Sequence, residues 1–397
     1  MTQSGHGFMH PPAIGILMTE MLLDGRTGSM DIQALSLDRF AAGRLRAEAN
    51  MFCMLRQEAG PMLKRFGLAV MTLALVVALA GGAAAQQSLT WTAGAVGGGW
   101  YTISGGMAEL LREKAGLNIK VVPGGGTRNP VLVEKGEADL GMGLPPLLGA
   151  AVRGEDPYPG QKMDKLRALA GNMSLNTFHF YVAADSPFAK MTMEEIFKTK
   201  KPMRLAISKP GSSDVWVFEK VMEFYGYCQP GKAADCYKTW EAAGTKFFRG
   251  SYSEQAGAFK DRNVDGTFTF LALPGASITE ASVGRDLKIL AFPKPLLQHL
   301  GKFGLGEGTI PAGTYPKAAN GNEPVVSATM GTTITVSSTM PNDVAYTITK
   351  ALNDNVDRVR KIHGSLADYD ASKGHLFLGV ALHPGAERYY REKGWLK

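Results

Sequence analysis

The chain has 397 residues, and 43 Lys+Arg against 36 Asp+Glu leave it a net charge of +7. That excess is mild and dispersed, without the basic block or stripe that a nucleic-acid partner requires, and a modest positive field suits an anionic ligand. A single apolar run, 66–80, approaches the length of a membrane span; the remainder reads as soluble and long enough for two domains with ample cores.

Residues 1–61 carry five methionines (Met1, Met9, Met18, Met21 and Met30) ahead of Met51 and Met54, and no sustained apolar period. They read as an over-long, disordered gene start. From Met62 the pattern changes. Lys64 and Arg65 form a charged lead, 66–80 is apolar, and Ala83-Ala84-Ala85 offers a small-residue cleavage site ahead of Gln86. Ala and Gly content and the small-residue end favour an export signal at 62–85 over a membrane anchor. The expectation is a periplasmic protein processed near Ala85, leaving 86–397.

A strand at 89–92, ending in Gly94, precedes the first of three glycine-rich loops, Gly97-Gly98-Gly99-Trp100-Tyr101. Ile103, Met107, Leu110 and Leu111 then share one helix face, Gly116 stops the helix, and 119–122 is the next strand. Such a βαβ unit puts its loop at the carboxyl end of the first strand, where open α/β sheets bind ligands. The second loop is Pro123-Gly124-Gly125-Gly126-Thr127, followed by Asn129 as N-cap, Pro130 at the first helical position and Gly136 as the stop. A strand at 138–142 ends at Gly143 and Pro145-Pro146, and 146–165 reads as loop and short helix. Strands at 166–170 and 178–183 follow, the second long enough to cross between domains.

A helix-forming stretch at 186–197 and a strand at 203–207 lead to the third loop, Lys209-Pro210-Gly211-Ser212-Ser213. It opens a helix whose buried face is Val215, Phe218, Met222 and Tyr225, with Ser212 or Ser213 as N-cap. Cys228 and Cys236 lie in a loop-like stretch with Pro230 and Gly231, and in an oxidising compartment form one local disulfide. A helix at 254–260, a strand at 268–271 ended by Leu273-Pro274-Gly275, a helix from Ser277 and a strand at 287–292 come next. Residues 301–324, with six glycines and three prolines, form a loop carrying the chain back towards the first domain. Strands at 325–329 and 332–336 precede a long helix marked by Val344, Ile348, Leu352, Val356 and Val359, and a final short helix starts at His383. The alternation argues a doubly wound α/β architecture.

Each glycine loop presents bare backbone N–H groups at a helix N-terminus, ready to hold an anion, and three in one chain suggest a pocket built by convergence. The dinucleotide fingerprint is not met: the glycines are out of register, and no acidic residue closes the strand near Val122. P-loop, G-x-S-x-G, H-E-x-x-H and C-x-x-C patterns are lacking, and the histidines of 86–397 stand singly. Nothing demands an enzyme, a metal or a cofactor, so the expectation is none of the three. Trp100, Tyr101 and Trp216 supply an apolar wall to a pocket or pack in the core. Arg128 and Lys209, beside the second and third loops, pair with a carboxylate or stand as solvated charges.

The segments 94–111, 121–142, 207–226 and 266–280, followed by 310–316, 339–352 and 382–394, occur in the order seen in one known family. From about residue 89 to 397 the chain resembles the TAXI solute-binding proteins of TRAP transporters. The resemblance implies a type II periplasmic binding protein with two α/β lobes, two crossing strands and a ligand in the cleft. It implies capture of a small organic acid or amino acid and delivery to a TRAP membrane permease driven by an ion gradient, commonly sodium, without ATP. The site it implies comprises Gly98, Gly99, Trp100 and Tyr101, then Gly125, Gly126 and Thr127, with Arg128 beside them. Gly211, Ser212, Ser213 and Trp216 supply the opposite lobe, with Pro274 and Gly275 near the rim. Trp100 and Leu144-Pro145-Pro146 depart from the family's usual smaller residue or tyrosine and its polar turn. The expected division is 86–182 with 325–397 as one lobe and 183–324 as the other, in a monomer. A periplasmic sensor presenting its ligand to a membrane signalling partner is the alternative.

Overall fold

A computed structural model describes residues 88–397; the expectations for 1–61 and for the export signal at 62–85 lie outside them. Strand β1 (Leu89–Thr92) passes through the first glycine loop into helix α1 (Gly99–Ala115). Ile103, Met107, Leu110 and Leu111 are fully buried along α1, and Gly116 ends it at φ 66°, a left-handed turn that costs glycine nothing. Strand β2 (Ile119–Val122), α2 (Asn129–Lys135), β3 (Leu140–Gly143), α3 (Pro145–Arg153) and β4 (Leu166–Ala170) complete the first winding. Pro145 opens α3, where its missing N–H is no loss. Asn129 is not the cap expected of it: Arg128 holds that position, and the Asn129 side chain turns inward.

The second winding starts with β5 (Leu175–Ala183) and a short helix α4 (Met193–Lys198), closed at its start by a Thr192/Glu195 capping box. Then come β6 (Arg204–Ile207), α5 (Ser213–Phe224), α6 (Ala233–Ala242), β7 (Lys246–Arg249), α7 (Tyr252–Lys260) and β8 (Gly266–Ala272). Helix α8 (Ala276–Gly284), β9 (Leu287–Leu290), α9 (Lys294–Gly301), β10 (Gly306–Ile310) and β11 (Val325–Gly331) follow. Of these α6, β7, α9 and β10 are not expected from the sequence. Cys228 and Cys236 are disulfide-bonded, with Cα atoms 4.7 Å apart, tying the turn after α5 to α6.

Strand β12 (Thr333–Ser337) returns to the first winding, ahead of α10 (Asn342–Asp354), α11 (Val356–Arg360) and α12 (Pro384–Glu392). The single long helix expected over α10 and α11 is broken at Asn355. Its side-chain amide donates to the Ala351 carbonyl at 2.8 Å, a local bond that competes with helix continuation.

The first sheet runs β2-β1-β3-β12-β4, with β12 antiparallel between β3 and β4. The second repeats that order as β7-β6-β8-β5, with β9 on the far edge of β5 and β5 antiparallel to β8. Each sheet thus receives one reversed strand after a crossover. Strands in these interior places are covered on both faces, and all residues of β8 and β12 are buried. Leu175–Thr177 of β5 pair with β11, which carries β10 on its outer edge.

Membership of the sheets moves the expected lobe limits. The first lobe is expected over 86–182 and again from 325, yet β5 and β11 belong to the second sheet. The crossovers lie at 171–174 and at Thr332. Among the described residues, no helix is long and apolar enough to cross a membrane.

Candidate functional site

Loops after β1, β2 and β6 meet the end of β8 and the start of β5 around one cavity of about 30 Å³. From the first loop Gly94, Ala95, Gly98, Gly99 and Trp100 line it, and from the second Gly125 and Gly126. Ser212 and Ser213 face them from the third, with Asn176, Tyr252, Phe270, Leu271 and Ala272 completing the wall. Two helix N-termini, those of α1 and α5, therefore converge on one space from different sheets. The first-turn N–H groups of a helix have no carbonyl partner within it, and both macrodipoles place positive potential there.

The glycines serve distinct ends. Gly97 and Gly211 have φ of 85° and 96°, backbone that side chains resist. Gly124, Gly125 and Gly126 are needed for space: a Cβ on Gly125 would lie 2.4 Å from the Gly211 oxygen, and one on Gly126 would lie 2.7 Å from Ser213 Cβ. Asn129 fixes the second loop from below. Its Oδ1 accepts the Gly125 N–H at 2.9 Å, and its Nδ2 donates to the carbonyls of Ala93 at 2.6 Å and Met142 at 2.8 Å.

Part of the second loop's donor capacity is spent. The Thr127 and Arg128 N–H groups donate to the Gly211 carbonyl at 3.3 and 3.1 Å, joining the second loop to the third. Thr127, Arg128 and Gly211 accordingly form the rim and do not line the cavity. Tyr101 is also outside the lining, half-buried one turn into α1. Trp216 turns its indole N–H away to Asp156 Oδ2 at 2.8 Å. The Gly275 N–H is taken by the Tyr315 hydroxyl at 2.8 Å and Pro274 is exposed, so neither reaches the cavity.

Trp100 is held by a bond that the sequence did not suggest. Its Nε1 donates to Thr332 Oγ1 at 3.2 Å, and Asn176 Nδ2 donates to the same oxygen at 2.9 Å. With both lone pairs of that oxygen engaged, its proton is directed to Ser174 Oγ at 3.0 Å. Two cavity-lining side chains are thereby tied to both crossovers.

Among the described residues, no charged side chain lines the cavity. Just behind Ser213, Asp214 is fully enclosed: Ser208 Oγ donates to its Oδ2 at 2.5 Å, and Oδ1 has no partner among the described residues. Burial pushes its carboxyl up to about 7, against the pull of the Ser208 hydroxyl and nearby backbone N–H groups. Tyr252, whose hydroxyl donates to the Phe270 carbonyl at 2.9 Å, is raised well above the usual phenol range by burial and then by the Asp214 charge. Among the described residues, no group of three or more His, Cys, Asp or Glu side chains is placed to hold a metal.

Two α/β sheets of one strand order, exchanging strands and meeting at a cavity built from helix N-termini, define the type II periplasmic binding-protein fold. The chain belongs to the NMT1-like family, whose model matches residues 91–394. It is also similar to several solved structures at low identity. One is described as a periplasmic transporter, at 14% identity over 79% of this chain and 95% of that chain, with a TM-score of 0.41. The arginine-, lysine-, histidine-binding protein ArtJ from Geobacillus stearothermophilus matches at 11% identity over 70% and 95%, with a TM-score of 0.41. A putative L-cystine ABC transporter from Listeria monocytogenes matches at 10% over 71% and 97%, with a TM-score of 0.41.

Proposed function

We propose that the protein captures a small organic anion, a carboxylate or an amino acid, between its two sheets and delivers it to a membrane permease. The reading rests on the convergence of two helix N-termini, one from each lobe, on a cavity without charged side chains. Backbone N–H groups of Gly99 and Trp100, with the hydroxyls of Ser212 and Ser213, hold the carboxylate; Trp100, Tyr252 and Phe270 cover the rest. The cavity is small and walled by loops of both lobes, so the loops part to admit the solute and close over it. The sheets turn about the crossovers at 171–174 and Thr332, and the bound form is what the membrane partner reads. The motif series of the sequence supports a TRAP permease as that partner and a periplasmic TAXI-type receptor as the protein's role.

The test is mass spectrometry of small molecules released from the purified protein, followed by calorimetry with the compound found. Binding of one carboxylate-bearing compound is expected, abolished by Ser212→Phe with the thermal midpoint unchanged. Undiminished affinity in that variant would displace the site, and turnover of the compound in place of intact release would replace binding by catalysis.

A further inference from the structure

We propose that Asp156 is a clasp that sets how firmly the two lobes close, acting on solute affinity from outside the cavity. The inference deepens the solute-binding reading and depends on it for its meaning. Asp156 lies between α3 and β4, on the first-sheet side. Its Oδ2 accepts the Trp216 indole N–H at 2.8 Å and faces Lys220 Nζ at 3.0 Å, both from α5 of the second. The same rim carries the Gly211 carbonyl, which takes the Thr127 and Arg128 N–H groups. Tyr158 donates to the Thr127 carbonyl at 3.0 Å, so the Asp156 segment and the second glycine loop approach the opposite lobe as one piece.

The chemistry suits a bond that is made and broken. Lys220 and Glu223 are nearly buried, with side-chain exposures of 6% and 5%, and pair at 3.0 Å within α5. Lys220 also lies over the Phe303 ring, and Trp216 packs edge-on against it with centroids 5.9 Å apart. When the lobes part, Lys220 keeps a counter-charge and Trp216 keeps its packing. Asp156, 46% exposed, returns to water at little cost. Neither lobe needs the clasp in order to fold, and a charge-assisted bond at this rim favours the closed arrangement.

The test is amide hydrogen exchange on the full chain, comparing wild type with Asp156→Asn and Trp216→Phe; the second keeps an aromatic ring against Phe303. Because the Thr127 and Arg128 amides are bonded across the rim, they are expected to exchange about tenfold faster in both variants, with the urea midpoint of Asp156→Asn unchanged. Equal exchange at those amides in either variant overturns the proposal. So does faster exchange spread through both sheets, which would show lost folding in place of lost closure. No solute enters the measurement. Failure to recover an organic anion from the protein would therefore remove the proposed function while leaving the exchange result standing.

Discussion

Gly124 and Gly125 are neighbours in one loop, yet a methyl group fails at each for a different reason. At Gly124 a Cβ would sit 2.2 Å from Asn129 Oδ1 and 2.3 Å from Thr92 Oγ1, all within the first lobe. Gly124→Ala is expected to cost about 1–3 kcal/mol of stability in urea unfolding. At Gly125 the obstacle is the Gly211 oxygen of the other lobe, so Gly125→Ala should leave stability within about 0.5 kcal/mol and weaken solute binding at least tenfold in calorimetry. Asp214 gives a pH prediction. Its folded carboxyl titrates near 7 against an ordinary 3.8, so the folded state keeps a proton that the unfolded chain releases between those values. Its contribution to stability is full below about pH 4 and is lost as pH rises through about 7. Asp214→Asn should flatten that fall and gain about 1–3 kcal/mol at about pH 8; Glu219, also raised to about 7 by burial, retains part of the slope. The glycine loops were legible in sequence because glycine before a helix has few uses. Asn176, Tyr252 and Phe270 were not, since a polar residue on a crossing strand and aromatics at buried positions look the same in a core. Asp156 left no mark at all: one acid beside a proline in a loop has no pattern to be read.

At the level of elements, the crossovers carry more than the chain. Thr332 accepts from Trp100 and Asn176 and donates to Ser174, so Thr332→Val would leave two buried donors unpaired at the point where the sheets exchange strands. A loss of about 2–4 kcal/mol is expected in urea unfolding, largely restored by Thr332→Ser; equal loss in both variants would assign the effect to packing. Three of the four elements missed in the sequence share a weakness of signal. Helix α6 buries only Cys236 and Trp240 and follows Pro230-Gly231, so its periodicity rests on two anchors and its sequence looks like loop. Strand β7 alternates half-buried with exposed residues, and β10 is a glycine-bearing edge strand with one buried residue. The apolar face of α1 makes its limits legible to within a residue or two, whereas α9, with Leu296, Leu297 and Leu300 buried, is only two turns long and opens on a proline, too short to show its period. The sequence also showed a helix through Val356 and Val359 that Asn355 interrupts, because periodicity records which residues are buried and not whether the backbone between them is continuous.

For the whole molecule, the interleaving of strands sets the unit that can fold. A chain ended at residue 324 would lack β11 and β12, leaving β3 and β4 without the strand that joins them and removing the cover given by α10 and α12. Such a truncation is expected to lose cooperative thermal unfolding entirely, as followed by circular dichroism, although the residues of six of the second sheet's seven strands remain. A sharp transition close to that of the full chain would show that the lobes are independent. The seam between β3 and β4 bears on how the protein is made. As the nascent chain lengthens, its earliest strands are synthesised first and finished almost last, because their sheet stays divided until Thr333–Ser337 has emerged and threaded between them. Through most of synthesis the amino-terminal half therefore carries two unpaired strand edges and an open apolar face, a natural substrate for a holding chaperone.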